Sequence, residues 1–205
     1  MTDQLHALQN DIGFLKSLAE SGRNQGLAGG SMLMAAGGVF GLASVGHWAI
    51  NQGLIPTEGG WAYAGVWGAA AVLFGGALVI AKRRMGAAST DSASRAGYMA
   101  WQALGWTIFV LIVCMQLVVW RTHSMAPLAL FPAIILSLYG SAWLVAASIA
   151  RRSWMWAASL SAYAAAIGAS WLCTNNLVYL WYAAALWLVV ALPGALMIRA
   201  TRAGT

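Results

Sequence analysis

The stretch 98–120, YMAWQALGWTIFVLIVCMQLVVW, decides the fold. It contains no Asp, Glu, Lys or Arg, and at about 1.5 Å per residue a helix of this length crosses the roughly 30 Å of hydrocarbon in a bilayer. It also lacks the polar/apolar alternation that a strand of a membrane barrel requires. Working outward, runs of the same character lie at about 28–50, 61–81, 126–150, 154–174 and 177–198. The expected fold is therefore all-α: a polytopic integral membrane protein whose six transmembrane helices form three antiparallel hairpins over residues 27–199. An amphipathic helix within residues 1–26 precedes them, and a short tail, 200–205, follows.

Composition supports the same class. The chain of 205 residues is 61% hydrophobic and 8% charged, against roughly 25% charged in ordinary soluble domains, and its mean hydropathy is +0.72. The connections at 51–60, 82–97, 121–125, 151–153 and 174–176 are too short to hold a soluble domain. The first apolar run follows a long polar and amphipathic leader and is long enough to span, so it reads as a retained anchor rather than a cleaved signal.

Charge orients the six runs. If the first span runs from inside to outside, Lys16, Arg23, Lys82, Arg83, Arg84, Arg95, Arg151, Arg152, Arg199 and Arg202 are cytoplasmic. Of the 11 Lys and Arg residues, only Arg121 then lies outside, a bias that follows the positive-inside rule. Both termini are expected in the cytoplasm, and the membrane is expected to be the bacterial inner membrane. The net charge of +6 is thus accounted for by span ends and anionic headgroups, and no nucleic acid is expected as a partner. Trp61, Trp101, Trp120, Trp154, Trp171 and Trp181 fall near span ends, where indoles form interfacial belts.

In the N-terminal segment Leu5, Leu8, Ile12 and Leu15 recur at steps of three and four, with Asp3, Gln4, Asn10, Asp11, Lys16 and Glu20 on the other faces. Gly22 and Gly26 end the helix before the first span. Its apolar stripe suits either of two uses, lying in the inner headgroup layer or pairing with a copy of itself or with a partner helix. The acidic residues weigh against lipid.

Small residues set helix packing in a membrane, because lipid supplies no hydrophobic push between helices. Gly37, Gly41 and Ser44 share one face of the first span, and Gly65 and Ala69 one face of the second, so these spans are expected to pack tightly, against each other or across a dimer interface. Pro127 and Pro132 open the fourth span, where an absent amide costs little. Pro193 sits deep enough in the sixth to free a carbonyl and kink the helix. The echo between 76–80, GALVI, and 194–198, GALMI, is compatible with internal duplication, although apolar sequence of this kind matches itself readily.

No Asp, Glu, Lys or Arg occupies the centre of any span, which disfavours ion-coupled transport and pumping. Two mildly polar stripes remain, Gln102, Gly105, Phe109, Ile112 and Gln116 in the third span and Ser159, Tyr163, Ala166, Ser170 and Cys173 in the fifth. Both are expected to face protein. His47 and His123 lie at the same depth. A haem held by both, or a copper site drawing on Met125, Cys114 or Met115, is the metal reading to weigh there, but no ligand pair shares a helix at metal-binding spacing, so no metal or other cofactor is expected. Cys114 and Cys173 lack the spacing of a redox or zinc motif. Ser44 and His47 stand three residues apart without an oriented base or an oxyanion site, so no catalytic residue is expected.

The function expected from these features is that of a non-enzymatic membrane subunit or regulator acting through helix contacts. Its surroundings would be the lipid bilayer and either a second copy or a membrane or cytoplasmic protein, with Leu5, Leu8, Ile12 and Leu15 as partner-binding residues. The alternative is a small transporter or channel for a neutral or weakly polar solute. Its path would run between spans three and five, lined by Gln102, Gln116, Tyr163 and Ser170, with Pro193 as a hinge.

Overall fold

A computed structural model describes residues 29–55, 60–84 and 92–202. Among these residues every regular element is helical: α1 (Gly30–Asn51), α2 (Trp61–Arg84), α3 (Ser92–Thr122), a 3-10 turn (Ala126–Leu130) leading into α4 (Phe131–Ala150), α5 (Ser153–Trp171), α6 (Leu177–Leu186), a π-helical turn (Trp187–Ala191) and α7 (Leu192–Arg202). The helix expected around Leu5, Leu8, Ile12 and Leu15 lies outside the described residues.

Among the described residues five segments are long and apolar enough to cross a membrane: Gly30–Asn51, Trp61–Ala81, Met99–Thr122, Ala126–Ala150 and Leu177–Arg199. The last of these runs through α6, the π turn and most of α7. The 19 residues of α5 are long enough, but Ser153, Ser159, Ser161, Ser170, Tyr163, Trp154, Trp156 and Trp171 dilute its apolar character, and it falls outside that set.

Local geometry explains the tightest reversal. Arg151 closes α4 in the left-handed region, at φ 50° and ψ 40°, with its N–H donated to the Ala147 carbonyl at 2.9 Å. Arg152 is extended, and α5 begins at once. This two-residue turn lays α5 back along α4, and the two pack extensively along their length. Pro127 and Pro132 sit in first-turn positions of the 3-10 turn and of α4, where no backbone donor is needed.

The helices pack in the order α3, α4, α5, last span, α1, α2, with α4 also touching α6. Sequence neighbours α1 and α2 touch, as do α3 and α4. The two most extensive packings, α4 on α5 and α1 on the last span, join different predicted hairpins. Leu136, Trp143, Met155, Leu186, Val190 and Met197 fill the centre with almost no exposure. The result is uneven burial: 39% of the α1 and α4 segments and 50% of the last span are buried, against 6% for α2 and for α3.

Close packing is concentrated where α1 crosses the last span. A Cβ placed on Gly37 would lie 2.6 Å from the Ala191 amide nitrogen and 2.7 Å from the Leu186 carbonyl oxygen, and one on Gly30 would lie 2.6 Å from the Gly194 carbonyl oxygen. The Trp187 ring lies directly over Gly41. The buried face of Gly37, Gly41 and Ser44 therefore meets the last span and not α2. Large side chains make the α1–α2 contact instead: Phe40 against Phe74 and Trp67, with ring centroids 5.3 and 6.5 Å apart. Gly65 and Ala69 are exposed, and a Cβ on Gly65 would meet nothing within 4 Å.

Candidate functional site

The two polar stripes have different fates. On α5, Ser159 is fully buried and donates to the Gly140 carbonyl at 2.7 Å. The Tyr163 ring covers Gly140, where a Cβ would lie 2.8 Å from it, and the Tyr163 hydroxyl pairs with Ser141 at 3.0 Å. Ser170 donates to its own helix at Ala166, 3.1 Å away. The α5 stripe thus bonds to α4, whose Gly140 gives it room.

On α3 the side chains that meet the bundle are Trp101, Leu104, Ile108 and Leu111. Each stands one residue before a member of the glutamine stripe, and one residue turns the helix by about 100°. Gln102, Gly105, Phe109, Ile112 and Gln116 are consequently all exposed. Neither glutamine amide has a hydrogen-bond partner among the described residues. Because α4 separates α3 from α5, Gln102 and Gln116 are not brought together with Tyr163 and Ser170. Of the four, only Ser170 lines the open groove of about 370 Å³ between α4 and α5, beside Ala133, Ser137 and Ser141.

Hydrogen-bond directions limit what that groove can hold. Ser137 donates to Ala133 and Ser141 to the Ser137 carbonyl, at 2.9 and 3.1 Å, so the Tyr163 hydroxyl is left to donate to Ser141. With Ser170 also engaged, the serine hydroxyls present only acceptor lone pairs. A bound group would have to be a donor.

A second cluster joins α1, α2 and the start of α6. His47 Nδ1 accepts from Trp67 Nε1 at 3.0 Å, which leaves the imidazole proton on Nε2. The ring stacks on Tyr179 with centroids 3.9 Å apart and is tilted against Tyr63 at 4.7 Å. The Tyr63 hydroxyl donates to Asn51 Oδ1 at 2.7 Å, and Asn51 Nδ2 to Asn176 Oδ1 at 3.2 Å. Ser44 is fully buried and donates to the Phe40 carbonyl at 2.8 Å, so its proton does not go to His47. His123 is exposed in a left-handed turn after α3. Among the described residues no three His, Cys, Asp or Glu side chains converge as metal ligands, and Cys114 and Cys173 are free thiols.

The third cluster centres on Trp143. Its Nε1 donates to the Val189 carbonyl at 2.9 Å. Val189 is the residue four before Pro193, so it is the carbonyl that the proline leaves without an α-helical donor. The Trp143 ring also meets Trp101 of α3 and Trp154 of α5, with centroids 5.1 and 5.7 Å apart. Sequence reading marked Pro193 and its orphaned carbonyl but not the indole that satisfies it. The available signal was a tryptophan in mid-span, away from the interfacial belt. For Asn51, Tyr63, Tyr179 and Asn176 the sequence carries only a weak signal, polar groups at the ends of three different spans. Comparison of the chain with protein families, with curated proteins and with solved structures gives no match.

Proposed function

We propose that this chain is a non-enzymatic membrane subunit or regulator that acts through helix contacts, with six spans and both termini on the cytoplasmic side of a bacterial inner membrane. The observation that carries this reading is the uneven burial. A bundle serving only its own fold has little use for two spans that are 6% buried beside three that are 39–50% buried. In this reading α2 and α3 are contact surfaces carried by a packed centre of α4, α5, α1 and the last span, and the N-terminal helix is the cytoplasmic contact.

The count of six has its own support. Three of the eight side chains that lower the hydropathy of α5 have their polar atoms already bonded, Ser159 and Tyr163 to α4 and Ser170 to its own backbone. A polar group satisfied within the protein costs far less in hydrocarbon than a free one. α5 then crosses the membrane with these groups turned toward α4.

The test is crosslinking of the full chain in its native membranes, beside a chain lacking residues 1–20. Specific adducts from probes on α2 or α3 are expected, with a several-fold loss of cytoplasmic adducts on deletion. Unchanged adducts after deletion would remove the N-terminal helix from the reading, and no adduct from any of the three surfaces would overturn it.

A further inference from the structure

We infer that the α3 stripe Gln102, Gly105, Phe109, Ile112 and Gln116 is the surface on which two copies of this chain pair in the membrane. This inference rests on the proposed function and names the partner at one of its contact surfaces. Three observations carry it.

The first is depth. Gln116 stands between five and six residues from the middle of the span Met99–Thr122, about 8 Å along the helix axis, well within a hydrocarbon half-thickness of about 15 Å. A primary amide facing acyl chains at that depth forfeits the hydrogen bonds it would keep in water. Gln116 is exposed and unpartnered among the described residues, so lipid is a poor cover for it. Gln102 faces the same way near the other end of the span.

The second is spacing. The five residues recur at steps of three, four, three and four, which is the a/d seam of two helices wound together. Phe109 and Ile112 at its centre are 56% and 42% exposed. A Cβ on Gly105 would meet nothing within 4 Å, leaving room for a second backbone to approach. The seam lies about 100° from the α4 contact, so it is free while α3 stays docked.

The third selects a copy of this chain over a different protein. Two copies in one membrane share an orientation and are related by a two-fold axis along the membrane normal, so α3 meets its copy in parallel and like residues meet at equal depth. Gln116 then faces Gln116 of the second copy, and Gln102 its counterpart. An amide carries both a carbonyl acceptor and an NH₂ donor, so each pair satisfies itself reciprocally. A polar residue at one a position in a seam is also what sets register and strand number.

The experiment uses the full-length chain in native membranes. In a background of C114A and C173A, single cysteines are placed on the seam (F109C, I112C) and off it (V110C, V113C), with iodine as a bilayer-permeant oxidant. Disulfide-linked dimers are expected from the seam positions and at least about fivefold less from the others. Q116L, which should suit a lipid-facing site, is expected to lower dimer yield from I112C by roughly three- to tenfold, the range that one intramembrane hydrogen bond supports, while Q116N retains more of it. Equal yields on and off the seam, or a yield indifferent to Q116L, would overturn the inference. If the seam crosslinks to a different protein, self-pairing through α3 fails and the proposed function stands. If neither the seam nor α2 nor residues 1–20 gives any adduct, both fail together.

Discussion

Gly37 and Gly65 look alike in the sequence, each opening a small-xxx-small pair in a neighbouring span, yet they have opposite surroundings. A Cβ on Gly37 would be driven into the backbone of the last span, whereas one on Gly65 would enter open space. Backbone cannot yield as a flexible side chain would, so G37A should destabilise the purified protein by about 1–3 kcal/mol. G65A should stay within about 0.5 kcal/mol. Thermal unfolding in a single detergent checks both, and equal effects would refute the packing of α1 on the last span. The residue type could be read from the sequence, since glycines at that spacing mark close approach. Which helix approaches could not, because the spacing is the same whether the neighbour is α2, the last span or lipid.

At the scale of the element, the last span shows how a proline and a distant tryptophan share one carbonyl. Pro193 withdraws the donor that Val189 would have had, the chain passes through a π turn just before it, and Trp143 of α4 fills the vacancy from outside the helix. W143F should therefore cost about 1–3 kcal/mol for the orphaned carbonyl, besides the lost ring volume. P193A places an amide where it can reach Val189. The double variant W143F/P193A should consequently lose less than the sum of the two single losses, by about 0.5–2 kcal/mol. Additive losses in the thermal unfolding of the four proteins would sink this account. The sequence predicts a kink at Pro193, with a hinge there if the chain is a transporter. The carbonyl behind that expectation is held by a buried indole, which ties the bend to α3, α4 and α5 through the tryptophan cluster.

At the scale of the molecule, the distribution of Lys and Arg predicts the topology. Reporter fusions at Thr57 and Ser89 should give external and cytoplasmic signals respectively; a cytoplasmic signal at Thr57 would overturn the six-span threading. Burial is uneven in a way that no hydropathy profile shows: α2 and α3 are among the most apolar spans and the least buried. In water such faces would be driven inward. In a bilayer apolarity only places a helix in the membrane, and packing is left to glycines, hydroxyls and indoles that find partners.

The sequence by itself determined the solvent and the class of element. Runs of some twenty apolar residues must satisfy their own backbone as helices in hydrocarbon whatever their neighbours, and among the described residues five such helices are present. Only the tertiary structure decided the pairings: α1 on the last span, the α5 hydroxyls on α4, Trp143 on the carbonyl freed by Pro193, and the α3 glutamines left facing outward. The reason is physical. Secondary structure in a membrane follows from a local requirement that each segment meets alone. Helix pairing depends on close contacts and single hydrogen bonds between residues far apart in the chain, and neighbouring faces of one helix, about 100° apart, compete for the same partner.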